Sequence, residues 1–173
     1  PETLDRWARV VPIALLAEDP LEGLDALEQL KTGGQGAAVA YSGTLRENLA
    51  RGLALAASTS ADLPHHLAIQ ARVDGIVRQL LHSASADSTG ATWARLAKYL
   101  LALAEASPEE VQDAIESDLA NSRPILKTLF RDSDGDEGFF GPSSPHPSLI
   151  WALETLCWSP EHFGRAAMLL AKV

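Results

Sequence analysis

The densest run of chemically capable side chains lies between residues 131 and 147. It holds Asp132, Asp134, Asp136 and Glu137, interleaved with Gly135 and Gly138. Carboxylates at alternate positions of a glycine-bearing loop suit a hard cation such as calcium, which needs several oxygen ligands converging from one short stretch of chain. The run begins like an EF-hand loop and then departs from it. The sixth position, where the sharp turn calls for glycine, is Glu137, and the twelfth, where a bidentate glutamate belongs, is Ser143. The four acids are therefore a candidate cation loop, and the plain alternative is a solvated acidic stretch. Phe139 and Phe140 follow at once, then Gly141 and Pro142. Two adjacent aromatics in a long loop either fold back to plug a core or stand out to dock a partner. With His146, held between Pro145 and Pro147, they are the interaction candidates.

Other chemistry finds less support. His65, His66, His82, His146 and His162 form no HExxH pattern, so no zinc protease site is expected. Lys31-Thr32-Gly33-Gly34-Gln35-Gly36 has the glycines after the lysine and threonine, the reverse of a phosphate-binding loop, and reads as a helix end and linker. No G-x-S-x-G elbow occurs. The single cysteine, Cys157, lies in an apolar run and reads as a small hydrophobe, with no disulfide possible within the chain. A hydrolase built on Asp136, Glu137 and His146 is the weakest reading. No catalytic residue and no cofactor is assigned.

Acidic residues outnumber basic ones, 23 to 14, for a net charge of -9. Nucleic acid and anionic membrane would both be repelled unless a basic patch overrides the net charge. Along the sequence Arg46, Arg51, Arg72, Arg78, Arg95 and Lys98 are scattered singly, with no patch among them. No signal peptide or membrane-length apolar run is present, and a reducing, cytoplasmic setting is expected. The chain opens on Pro1 without a methionine and closes on an apolar helical pattern without a stop signal, so it reads as a segment of a longer polypeptide.

Helical periodicity dominates the elements that must carry these residues. Leu4, Trp7, Ala8, Val11 and Leu15 form one stripe, with Pro12 expected to bend it. Asp19 and Pro20 open a second helix with Leu21, Leu24, Leu27 and Leu30. Thr44 and Glu47 have capping-box spacing ahead of Leu45, Leu49, Leu53 and Ala56. Pro64 opens a helix carried by Ile69, Val73, Ile76, Val77 and Leu80, and Ser83 to Thr92 reads as a loop. Trp93, Leu96, Ala97, Leu100, Leu101 and Ala104 make the cleanest stripe, and Ser107, Pro108 and Glu110 make a second capping box before Val111, Ala114, Ile115 and Leu119. A short helix is expected over Pro124 to Phe130. After the 131–147 loop a helix runs from Pro147 to Trp158, and Ser159-Pro160 start a last one with Phe163, Ala167 and Leu170. Trp7, Trp93, Trp151 and Trp158 all fall on or beside apolar stripes and read as core packing. No segment alternates with the two-residue period of a strand.

The fold class is all-α over one domain, residues 1–173. First members of helix pairs start near residues 3, 44 and 91, a spacing close to the repeat of HEAT and armadillo units. Each pair has one apolar stripe that only a neighbouring pair can cover, so stacking into a short α-solenoid is expected, with a globular helical bundle as the alternative. The stretch from Ser144 to Glu161, SPHPSLIWALETLCWSPE, resembles a segment of very long bacterial multidomain proteins, some of them similar to signalling or defence NTPases. That resemblance implies a helical sensor or scaffold region whose enzymatic domain lies elsewhere. The function expected is thus a non-catalytic interaction module for a protein partner or another domain of its own chain. The alternative is a small-molecule or cation-binding domain using residues 132–140.

Overall fold

The computed structural model describes residues 2–19, 40–60, 63–130 and 145–173. Among these residues all regular structure is helical and no strand occurs. The order is α1 (Glu2–Leu16), α2 (Gly43–Ser60), α3 (His66–Ala86), α4 (Ala91–Ala97), α5 (Leu100–Ala106), α6 (Pro108–Leu119), a 3-10 helix (Ile125–Phe130), α7 (His146–Cys157) and α8 (Phe163–Leu170). The expected helix over residues 21–30 and the loop acids Asp132, Asp134, Asp136 and Glu137 lie outside the described residues, as do Phe139 and Phe140.

Three consecutive hairpins organise the packing: α2 with α3, α5 with α6, and α7 with α8. First members lie on first members, α2 on α5 and α5 on α7. Second members do the same, α3 on α6 and α6 on α8, while α1 packs on α2, α3 and α4. Leu53, Val73, Val77, Leu80, Trp93, Leu96, Leu100, Leu103, Ile115, Leu149 and Leu153 are fully buried between these layers. Each such side chain contributes about 1.5–3 kcal/mol through loss of apolar surface to water. The stripe of α1 also faces inward: Val11 and Leu15 are buried, with Trp7 and Ala8 packed at the edge. The helix runs through Pro12 from Glu2 to Leu16. The ring of Trp7 crosses α2 at Gly52, where a β-carbon would come within 2.2 Å of it. Glycine leaves room for the indole there, and any larger residue would make the Trp7 ring shift.

The structure departs from the sequence pattern in several places. α3 continues to Ala86, so the connection expected from Ser83 to Thr92 shrinks to residues 87–90. The single helix expected from Trp93 to Ala104 is two, broken at Lys98 and Tyr99. The break lets each half serve different neighbours, α4 packing on α1 and α3, and α5 on α2, α6 and α7. Leu45 and Leu101, expected inside, are exposed.

Both capping boxes are used differently from their spacing. At α2 the cap is Ser42, whose Oγ accepts the Leu45 amide at 3.2 Å, while Glu47 pairs with Arg51 at 2.7 Å on the helix surface. At α6, Ser107 makes no side-chain cap bond; its hydroxyl donates to Asp74 Oδ1 on α3 at 2.6 Å. The same carboxylate oxygen accepts from Gln70 Nε2 at 2.7 Å. Glu110 instead takes a two-bond fork from Arg78 of α3, with Nε to Oε2 at 2.8 Å. Local cap residues have become tertiary links, because α3 brings competing donors and acceptors within reach.

A dense local cap forms at Asp87. Its carboxylate accepts the Thr89 and Thr92 amides, both at 2.9 Å, and both threonine hydroxyls. The Thr89 hydroxyl, then the Thr92 and Thr89 amides, hold this carboxyl well below the usual carboxylate range. A depressed folded pKa adds stability above the unfolded value, about 3.9, that is lost as pH falls below it. Asp87→Ala is therefore expected to lower the unfolding free energy by about 1 kcal/mol at neutral pH. In urea titrations the gap between the two proteins should begin to narrow as the pH falls below about 4 and go on narrowing through pH 3 and below, because the folded carboxyl stays ionised well under the unfolded value.

Gly90, which follows this cap, has φ of 79° and faces the 3-10 helix: a β-carbon would stand 2.1 Å from Thr128 Oγ1. Gly90→Ala combines left-handed strain with that clash and should cost about 2 kcal/mol. Thr128→Ala in the same chain should restore part of the loss, a coupling that a double-mutant cycle by thermal denaturation would read.

Candidate functional site

The most unusual surface belongs to α7. Leu149, Ala152, Leu153 and Leu156 bury one face of it. At 100° per residue, Trp151 and Trp158 fall on the opposite side, two turns apart. They are 61% and 83% exposed, respectively. These two indoles are therefore not core residues, although Trp93 is buried as expected and Trp7 is partly so. The run from Leu149 to Trp158 carries large apolar side chains on both sides of the helix, leucines inside and indoles outside, so apolar periodicity alone does not separate an inner face from an outer one. α8 adds Phe163 and Met168, both more than half exposed, while Ala166 and Leu169 face inward. Cys157, expected to be buried, is only partly covered. Glu154, also exposed, lies between the two indoles on the outer side of α7. A helix this apolar is ordinarily covered on most of its surface, and here two indoles of its outer side are largely exposed.

This surface is held firmly from behind. Asp118, buried at the end of α6, accepts the Ile125 amide at 3.0 Å and the Leu126 amide at 2.9 Å, which fixes the start of the 3-10 helix. At its far end Phe130 stacks on His146, ring centroids 5.0 Å apart and planes inclined at 24°. His146, the described member of the three interaction candidates, thus joins the 3-10 helix to the first turn of α7. Arg165 of α8 reaches α6, meeting Asp113 at 2.6 Å and Glu116 through Nε at 3.0 Å, with Glu109 at 3.6 Å. Burial lowers the Arg165 pKa, but hydrogen bonds to Asp113 and Glu116 outweigh it and the net shift is upward. The second helices of successive hairpins are therefore linked by ions, Arg78 to Glu110 and then Arg165 to the acids of α6.

A second site lies at the other end, and it gathers residues that look scattered in the sequence. Arg46 at the start of α2, Arg95 of α4 and Lys98 line a cavity of about 330 Å³ with Asp19, Gly43, Glu47 and Tyr99. Arg46 is only 3% exposed. Its Nη1 donates to the Ala17 carbonyl at 2.9 Å and its Nε to the Tyr41 carbonyl at 3.2 Å. Arg95 Nη1 donates to the Leu16 carbonyl at 3.0 Å. The two arginines thereby bind the last carbonyls of α1, where the helix dipole favours cations. Their convergence is missed along the chain because Arg46 and Arg95 come from different hairpins. One local signal exists: Arg46, Ala50 and Leu53 share a helical face, so a cation sits in an apolar stripe.

The remaining histidines do not converge. His65 and His66 are exposed in the turn before α3 and its first residue, His82 is exposed on α3, and His162 lies 3.6 Å from Glu109. Among the described residues no group of three or more His, Cys, Asp or Glu side chains could hold a metal ion, and no helix is long and apolar enough to cross a membrane. No known family model, curated protein or solved structure matches the chain.

Proposed function

We propose that this chain is a non-catalytic interaction module, a short HEAT-like stack of helix pairs whose outer α7 face docks a protein surface. The observation that carries the reading is the exposure of Trp151 and Trp158, which stand two turns apart on the outer side of α7. Indoles in water are costly to leave uncovered, and exposed aromatic side chains are what protein interfaces select for their central contacts. Glu154 between them, on a chain of net charge -9, favours a partner that presents a basic side chain beside an apolar one. The stack itself is supported by the packing of first members on first members and second on second, with ion pairs running along the second layer. Each hairpin then covers the stripe that its neighbour leaves open.

Docking is tested by placing a photo-crosslinking phenylalanine analogue at Trp158 and, as a control, at exposed Leu67 on α3. The expected result is one covalent adduct specific to position 158, abolished by Trp151→Glu. Equal labelling at both positions sinks the docking reading. Small-angle scattering tests the stack: it should give an elongated particle, and a spherical envelope would favour a bundle.

A further inference from the structure

We infer that the protein seated on the outer α7 face is a second copy of this chain, bound through the outer side of its α1. Naming this partner rests on α7 being a docking face. That face calls for a cation beside an apolar side chain. Glu154 stands between two exposed indoles and forms no ion pair among the described residues. The chain carries the matching pattern itself. At 100° per residue, Arg6, Arg9, Val10 and Ile13 fall on one side of α1, opposite buried Val11 and Leu15. All four are exposed. Among the described residues Arg6 has no carboxylate partner, and Arg9 bonds only the Asp5 carbonyl of its own helix, at 3.3 Å. The other exposed arginines on the described helices are already paired, Arg51 with Glu47, Arg72 with Asp5 and Arg78 with Glu110. The unpaired cations thus lie on α1, next to exposed apolar side chains.

The spacing fits as well. With Arg6 opposite Glu154, Val10 meets an indole whichever way the two helices run, Trp158 if parallel and Trp151 if antiparallel. Neither face fits itself. A two-fold contact through α7 would set Glu154 against the same residue of the other copy, and one through α1 would do so with Arg6 and Arg9. Each face rejects its like and accepts the other. α1 packs mainly on α3, and α7 on α5 and α8, with both outer sides turned from the core, so a single chain does not bring them together. The net charge of -9 opposes approach of two copies at long range. Salt near 0.15 M screens that repulsion beyond about 8 Å and leaves a contact pair such as Arg6 and Glu154 largely intact.

The test is sedimentation velocity of the purified chain at about 0.15 M salt. The mean mass should rise with concentration from one chain to two or more. Arg6→Glu and Glu154→Arg should each weaken association by about tenfold. Both sites are exposed, so the thermal midpoints should stay with the parent. Mixing the two variants should restore association, because each offers the charge that the other's altered face now needs. Photo-crosslinking from position 158 in the purified chain should give an adduct of two chain masses, joined at α1. A chain still monomeric at about 1 mM overturns the second copy, and so does association that ignores Arg6→Glu. If the monomeric chain crosslinks a different protein from position 158, only the second copy is removed and the docking reading stands. Association that ignores Trp158→Ala, with no adduct at position 158, removes the docking reading itself.

Discussion

Replacing Asp118 with alanine is expected to lower the unfolding free energy by about 3 kcal/mol, although this residue contacts no candidate ligand surface. The carboxylate holds two amides of the following 3-10 helix, and the Leu126 amide is fully enclosed. Alanine removes two charge-assisted hydrogen bonds and leaves the enclosed Leu126 amide without a partner, which costs more than that bond itself contributes. The midpoint of thermal unfolding should fall by about 6–12 °C. Asp118→Asn keeps one oxygen acceptor and turns an amino group toward a donor, so it should recover less than half of the loss. A loss under about 1 kcal/mol for the alanine variant in urea titrations would show that the 3-10 helix does not depend on this cap. The consequence reaches function through the stacked rings of Phe130 and His146, which join the end of that helix to α7. Asp118→Ala should therefore also reduce the position-specific crosslinking at Trp158.

Trp158→Ala is expected to weaken partner binding at least 30-fold, about 2 kcal/mol, and to leave stability within about 0.5 kcal/mol of the parent. The asymmetry follows from its position: an indole 83% exposed has little contact to lose within its own chain. Leu153→Ala on the opposite side of the same helix should do the reverse. That side chain is fully buried, and its truncation should cost about 2–5 kcal/mol of stability. Isothermal titration with the crosslinked partner and urea denaturation of both variants separate the two effects. If Trp158→Ala binds with unchanged affinity, the outer face of α7 is not the docking surface.

Much of the helical frame was legible in the residues themselves. The stripes Val73-Ile76-Val77-Leu80 and Val111-Ile115 are buried as their spacing requires, since a helix repeats every 3.6 residues whatever packs against it. The start of α6 at Pro108 and the short helix up to Phe130 were similarly readable, because proline and chain turns act locally.

Tertiary structure decided what local rules leave open. Trp151 and Trp93 look alike in sequence, each on an apolar stripe, yet one is outside and the other enclosed. Which side of an all-round apolar helix faces inward depends on neighbours from other hairpins, not on its own periodicity. Ser107 and Glu110 have the spacing of a cap but bind α3, because Asp74 and Arg78 are present there only after folding. The basic cluster shows the same limit most clearly. Arg46 lies 49 positions from Arg95 along the numbering, so no window of sequence contains both. The sequence by itself determined that helices form and where most of them begin. Only their packing brought scattered cations to one cavity and left two indoles facing water, because a charge cluster or an open face is a property of distances between elements, which local propensity does not encode.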